Sequence, residues 1–68
     1  MAEGISNSVR AAREAAGWTQ GELAERIGVS RKTVNTVENG VFIPSTVVAL
    51  KLARALGRPV EELFALAD

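Results

Sequence analysis

The chain has 68 residues, of which 47% are hydrophobic, and equal numbers of basic and acidic side chains give a formal net charge of +0. Cysteine and histidine are absent, which excludes disulfides, thiolate or imidazole metal ligands and histidine-based acid–base catalysis. A chain of this length forms one small core, so we expect a single domain over residues 1–68.

Helical periodicity recurs along the chain, and no stretch alternates apolar and polar residues as a half-buried strand would. We predict five helices. The first extends from about Ser6 to Ala16, and its apolar stripe begins at Ile5. The fifth is short, begins after Pro59 and buries Leu63 and Phe64. The prediction is a compact all-α domain with short connections.

The second, third and fourth helices are marked by capping signals. Thr19 and Glu22 have the spacing of a capping box, which begins the second helix. Gly28 ends that helix. Ser30 caps a third helix over about residues 31–39, and Ser45 caps the fourth.

The connection between the second and third helices consists of Gly28, Val29 and Ser30. A link this short favours two helices that cross steeply, as in a helix-turn-helix. Gly28 permits the left-handed backbone that such a turn needs. Val29 is predicted to be buried beneath the turn.

The third helix has one apolar and one polar side. At about 100° per residue, Val34 and Val37 define the buried side. The outer side carries Lys32, Asn35, Thr36 and Asn39, with Arg31 beside them. Cations, amides and hydroxyls of this kind can bond base edges in a major groove. A merely solvated helix also has a polar side, but the steep turn and the absence of outward acids favour a nucleic-acid interface.

The net charge hides an uneven distribution. Residues 26–58 contain six of the eight Lys and Arg residues and a single acid, Glu38, whereas both ends of the chain are acidic. The local sign of the charge sets the field at a binding face. The middle of the chain therefore suits an anionic partner.

The segment "GWTQGELAERIGVSRKTVNTVENGVFIPS" resembles the helix-turn-helix of phage-repressor and Cro-like (XRE-type) DNA-binding domains. The resemblance continues through "ALKLARALGRPVEELF" and so covers nearly the whole chain. It implies a five-helix, lambda-repressor-like fold in which the second and third helices form the helix-turn-helix. It also implies a sequence-specific transcriptional regulator that binds double-stranded DNA.

The resemblance assigns roles to individual positions. The residues that would read bases are Arg31, Lys32 and Thr36, to which the angular position adds Asn35. The residues that would contact phosphates are Gln20, Ser30, Thr33 and Asn39. Gln20 would also brace the third helix, and Ser30 serves equally well as a helix cap. Arg13 would form a partly buried ion pair with Glu38, which turns that acid away from DNA.

A homodimer is expected because one helix reads only a few base pairs. Two such helices about 34 Å apart match a two-fold-symmetric operator. Phe42, Val47 and Leu66 fall outside the inward stripes and lie where the resembled family tends to dimerise. Scattered exposed apolar residues are also normal in monomers.

The favoured function is a cytoplasmic DNA-binding repressor. The alternative is a helix-turn-helix protein-interaction module, such as an antitoxin or adaptor, that binds a protein through its apolar patch. An enzyme is not predicted, because no nucleophile–base pair or glycine-rich phosphate loop is evident. No cofactor, metal site or small-molecule ligand is predicted either. No apolar run approaches the roughly 18 residues of a membrane span, and the first ten residues do not resemble a signal peptide.

Overall fold

The computed structural model describes residues 4–67, which form five helices and a two-stranded antiparallel sheet. The elements in chain order are β1 (Ile5–Asn7), α1 (Val9–Ala15), α2 (Gln20–Ile27), α3 (Arg31–Glu38), α4 (Thr46–Leu56), α5 (Val60–Leu63) and β2 (Phe64–Leu66). Within residues 4–67, no helix combines the length and apolar character needed to cross a membrane.

Local capping interactions set the ends of α2, α3 and α4. The Thr19 hydroxyl accepts a hydrogen bond from the backbone N–H of Glu22, whose carboxylate accepts from the N–H of Thr19 at 2.8 Å. Gly28 ends α2 with a left-handed backbone at φ 73. Ser30 and Ser45 each accept from the backbone N–H three residues later. The predicted capping box and helix caps are therefore confirmed.

One apolar cluster holds the helices together. Its buried members are Val9, Ala12, Leu23, Ala24, Ile27, Val34, Val37, Leu52 and Leu63. They come from all five helices, so each helix contributes its apolar stripe to the same core. Two charged side chains are also buried in the described chain, those of Arg13 and Glu38, which are 9% and 1% exposed.

The all-α prediction is wrong at the two ends of the domain. β1 pairs antiparallel with β2, so that Ile5 lies opposite Leu66. The first helix consequently begins at Val9 rather than Ser6, and Phe64 belongs to β2 instead of the fifth helix. Ile5 is 36% exposed and is not part of a buried helical stripe. Strands of three residues are too short to show a period-two pattern, and their pairing joins opposite ends of the chain.

The strand pair also supports the end of α3. The side-chain amide of Asn7 donates to the backbone carbonyl of Val37 at 3.0 Å, and its Oδ1 accepts from the N–H of Val9. A single side chain in β1 therefore joins the start of α1 to the last turn of α3. The sheet contributes in this way to the position of α3 in the domain.

Candidate nucleic-acid interface

The turn between α2 and α3 consists of Gly28, Val29 and Ser30, as the sequence predicts. Gly28 adopts its left-handed conformation with open space around it. The N–H of Val29 donates to the carbonyl of Ala24 at 3.0 Å. Val29 packs against the core but is half-buried rather than fully buried. Ser30 caps the start of α3, and the first two residues of the helix, Arg31 and Lys32, are exposed.

The two sides of α3 differ sharply in exposure. Val34 and Val37 are both 2% exposed and face the core. The exposed residues of the helix and its C-cap are Arg31, Lys32, Asn35 and Asn39, whereas Thr33 and Thr36 are half-buried. Gln20, at the start of α2, lines a shallow cleft together with Arg31, Lys32 and Asn35. The structure thus brings the first residues of α2 and the outer side of α3 onto one surface.

A buried ion pair lies behind this surface. Nε of Arg13 donates to Oε2 of Glu38 at 2.6 Å, and Nη2 donates to Oε1 at 3.2 Å. The two side chains are 9% and 1% exposed. Nη1 of Arg13 also donates to the backbone carbonyl of Trp18 at 2.8 Å. The hydrogen bonds to Glu38 raise the pKa of Arg13 above its ordinary value despite the opposing effect of burial.

Hydrogen bonds extend from this ion pair to the outer side of α3. Nε2 of Gln20 lies 3.0 Å from Oε1 of Glu38 and 3.1 Å from Oδ1 of Asn35. Nδ2 of Asn39 lies 3.2 Å from the same Asn35 oxygen. The family resemblance implies that Gln20 braces α3, but its partners Asn35 and Glu38 and the bond from Asn39 were not predicted. Their only local signal is the spacing of Asn35, Glu38 and Asn39, which places them on one flank of the helix.

The hydroxyl groups of α3 and of its N-cap form hydrogen bonds within the helix. Oγ1 of Thr36 donates toward the carbonyls of Lys32 and Thr33, each at 3.0 Å. The hydroxyls of Ser30 and Thr33 lie 2.9 Å apart. Ser30 therefore acts as the helix cap in the structure, and its hydroxyl remains exposed at the end of the helix.

A second basic surface lies between α2 and α4. Arg26, Lys51 and Arg54 line a cleft of about 720 Å³ whose other residues include Trp18 and Glu25. The guanidinium carbon of Arg26 lies 4.1 Å from the centroid of the Trp18 ring, a distance at which a cation–π attraction operates. Trp18 packs partly buried against the core.

The residues predicted for a dimer interface are exposed. Phe42, Val47 and Leu66 are 47%, 60% and 74% exposed. Next to them is an apolar groove of about 530 Å³ between the strand pair, α4 and α5. Its exposed apolar residues are Ile5, Ile43 and Leu50. Ile5 and Ile43 were not predicted here, because Ile5 was assigned to the apolar stripe of the first helix and Ile43 lies between the third and fourth predicted helices.

Known proteins resemble the chain over most of its length. The helix-turn-helix family profile matches residues 9–63. An uncharacterized HTH-type transcriptional regulator of Methanothermobacter thermautotrophicus is 48% identical over 59 residues, which cover 85% of this chain and 86% of the relative. The uncharacterized HTH-type transcriptional regulator YgzD of Bacillus subtilis is 37% identical over 60 residues, covering 88% and 91%. Among solved structures, the restriction-modification controller protein C.AhdI from Aeromonas hydrophila matches with a TM-score of 0.75 and 41% identity, over 79% of this chain and 82% of that one.

Proposed function

The chain belongs to the helix-turn-helix family of DNA-binding transcriptional regulators, and we propose that it is a repressor that binds a two-fold-symmetric operator as a homodimer. The observation that carries the proposal is the distribution of charge around α3. Arg31 and Lys32 are exposed, whereas the side chain of Glu38 is 1% exposed and paired with Arg13. The only acid of the basic segment is thereby removed from the surface that would meet DNA.

Base recognition is assigned to the outer side of α3. The groups that would contact base edges are Arg31, Lys32, Asn35 and Thr36. All four belong to one helix, and the major groove is wide enough to admit one helix. Arg31 and Lys32 lie in its first turn, which is the end that a helix-turn-helix places against the bases.

Phosphate contacts are assigned to the edges of the same surface. The proposed groups are Gln20, Ser30, Thr33 and Asn39, from the start of α2 and the two ends of α3. Contacts of this kind fix the position of the helix on the duplex without reading sequence. The side-chain amide of Gln20 already bonds Asn35 and Glu38, so its donor for phosphate would be the backbone N–H at the first position of α2.

Dimerisation is assigned to exposed apolar residues that follow α3 or lie in α4 and β2. Phe42, Val47 and Leu66 would be buried between two copies of the chain. Apolar side chains exposed this far are costly to leave in water when several lie close together. Two copies related by a two-fold axis would present two α3 helices to successive major grooves, as a repressor bound at a symmetric operator requires.

Selection of binding sites from a random duplex pool tests this function directly. We expect a consensus with two-fold symmetry and half-site centres about 10 base pairs apart. An asymmetric consensus would contradict the homodimer while retaining DNA binding. Failure to enrich any sequence would contradict specific DNA recognition.

The alternative, a protein-interaction module, predicts a different dependence on salt and charge. DNA affinity should fall steeply with ionic strength, because basic side chains such as Arg31 and Lys32 displace counterions from the DNA when they approach it. Lys32→Glu should reduce DNA affinity by roughly 100-fold or more, since it places a carboxylate beside the phosphates and bases. Far-UV circular dichroism should remain unchanged, because Lys32 is exposed. Affinity that is unaffected by both changes would favour the interaction module.

Repression would follow from occupancy of the operator. A bound homodimer excludes other proteins from the same stretch of DNA, and this needs no catalysis or cofactor. The proposal also implies a cytoplasmic location in a cell whose DNA lies in that compartment.

A further inference from the structure

Glu38 determines which groups donate and which accept in the hydrogen bonds that connect it through Gln20 to Asn35. A carboxylate only accepts hydrogen bonds, and Oε1 of Glu38 lies 3.0 Å from the side-chain nitrogen of Gln20. The amide nitrogen of Gln20, and not its oxygen, must therefore face Glu38. Arg13 holds the same carboxylate from the other side, with Nη2 3.2 Å from Oε1.

The orientation of Gln20 determines that of Asn35. The amide nitrogen of Gln20 has a second hydrogen, and Oδ1 of Asn35 lies 3.1 Å from this nitrogen. If the Asn35 amide were turned over, two NH₂ groups would face each other. Nδ2 of Asn39 approaches the same Asn35 oxygen at 3.2 Å. Since a carbonyl oxygen has two lone pairs, both acceptor sites of Asn35 are occupied within the protein.

Only the amide nitrogen of Asn35 is left for DNA. Within residues 4–67 it donates to no protein atom, and the residue is exposed beside Arg31 and Lys32. We infer that Asn35 reads guanine, an inference that depends on the proposed insertion of α3 into the major groove. Guanine is the one base whose major-groove edge offers two acceptors, N7 and O6, and no donor.

The other bases fit this arrangement less well. The usual bidentate pairing of asparagine with adenine uses the amide oxygen to accept from the adenine N6 amino group. That oxygen already accepts from Gln20 and Asn39. Cytosine presents an amino donor, which would face the amide NH₂, and thymine presents one acceptor beside a methyl group.

Two neighbouring side chains are also donors. Arg31 and Lys32 have donors and no acceptor. The hydroxyl hydrogen of Thr36 is directed to the backbone carbonyls of its own helix, which leaves its methyl group and a lone pair for DNA. Three adjacent donor groups on the outer side of α3 match a half-site that contains guanine acceptors.

Site selection is carried out with wild type and with Asn35→Ala. The base pair that Asn35 contacts is the one at which the variant no longer prefers a particular base. We expect a G·C pair there, favoured over A·T by roughly tenfold or more in wild-type affinity. Replacing its guanine with 7-deazaguanine removes the N7 acceptor, and should weaken wild-type binding without affecting Asn35→Ala. An A·T pair at that position, an unchanged preference in Asn35→Ala, or insensitivity of wild type to 7-deazaguanine would overturn the inference.

The variant Gln20→Met tests whether the hydrogen-bonded chain holds the amide. It frees Asn35 to turn over, so the preference for G·C over A·T should fall toward unity at this position alone. The matched control Thr33→Val removes a proposed phosphate contact and should weaken all sequences equally, leaving the preference intact. An unchanged preference in Gln20→Met, with both variants folded by circular dichroism, would overturn the role of Gln20. If wild type enriches no sequence at all, the proposed DNA-binding function fails instead.

Discussion

Nε of Arg13 in α1 lies 2.6 Å from Oε2 of Glu38 in α3, and both side chains are almost completely buried. Glu38→Gln would leave the Arg13 guanidinium buried without its counter-charge. We expect the free energy of unfolding to fall by about 3–5 kcal/mol, as for other broken buried ion pairs. Urea denaturation followed by circular dichroism measures the change. A loss below about 0.5 kcal/mol would mean that the pair behaves as an exposed one.

The control for this change is present in the same chain. Arg10 and Glu14 form an exposed i, i+4 pair with 3.6 Å between Nε and Oε2. Glu14→Gln makes the same chemical substitution on the surface of α1. It should lower stability by no more than about 0.5 kcal/mol, because solvent screens exposed pairs.

The contribution of the ion pair should not change between pH 7 and pH 9. The pKa of Arg13 is raised by its hydrogen bonds to Glu38. A raised folded-state pKa gives stability that is fully present below the unfolded-state pKa and is lost only as pH rises through the folded-state value. For arginine both values lie far above pH 9. The difference in unfolding free energy between wild type and Glu38→Gln should therefore agree at the two pH values, and a steep change would contradict this account.

Comparison of the helix caps Ser30 and Ser45 distinguishes an effect on helix stability from an effect on DNA binding. Ser30 and Ser45 each accept a hydrogen bond from the backbone N–H three residues later. Ser30→Ala and Ser45→Ala should each lower the unfolding free energy by about 1 kcal/mol. Only Ser30→Ala should also weaken DNA binding, and it should do so for all sequences alike because phosphate contacts carry no sequence information. Equal affinities of the two variants would show that Ser30 is a cap and does not contact phosphate.

The apolar surface predicts the assembly of the protein. Leu50 of α4 lines the apolar groove and is 55% exposed. Leu66 of β2 lies opposite Ile5, another residue of the groove, and is 74% exposed. Leu50→Asp and Leu66→Asp should weaken dimerisation by roughly tenfold or more, because each would bury an unpaired carboxylate. Sedimentation at micromolar concentration measures the shift toward the 7.2 kDa monomer.

The control for assembly is Ala11→Asp, which introduces the same charge at an exposed position of α1. It should sediment as wild type does. A wild-type chain that sediments only as the 7.2 kDa species would exclude the homodimer at that concentration. A dimer that survives both leucine substitutions would place the interface elsewhere.

The helix-turn-helix could be predicted because its signals are local. The capping box of Thr19 and Glu22, the left-handed Gly28 and the cap at Ser30 each act within a few residues of the chain. The buried and exposed sides of α3 follow from helical spacing alone. The family could be recognised from the sequence because several of these features occur together at fixed spacings.

The remaining features depend on contacts that are distant in sequence. β1 is stabilised by β2 at the other end of the domain, and three residues give no pattern of their own. The orientation of the Gln20 and Asn35 amides depends on how closely α2 packs against α3. Ile43 belongs to the apolar groove only because its connector folds beside α4 and the strand pair.

The antiparallel strands also bring the two ends of the described chain together, with the N–H of Ala67 donating to the carbonyl of Gly4 at 2.9 Å. A short glycine-rich linker could therefore join these ends without displacing any helix. New ends could then be opened in the exposed connector between α3 and α4. Such a circular permutant would keep the α2–α3 turn intact while converting the strand pair into a hairpin within one continuous segment.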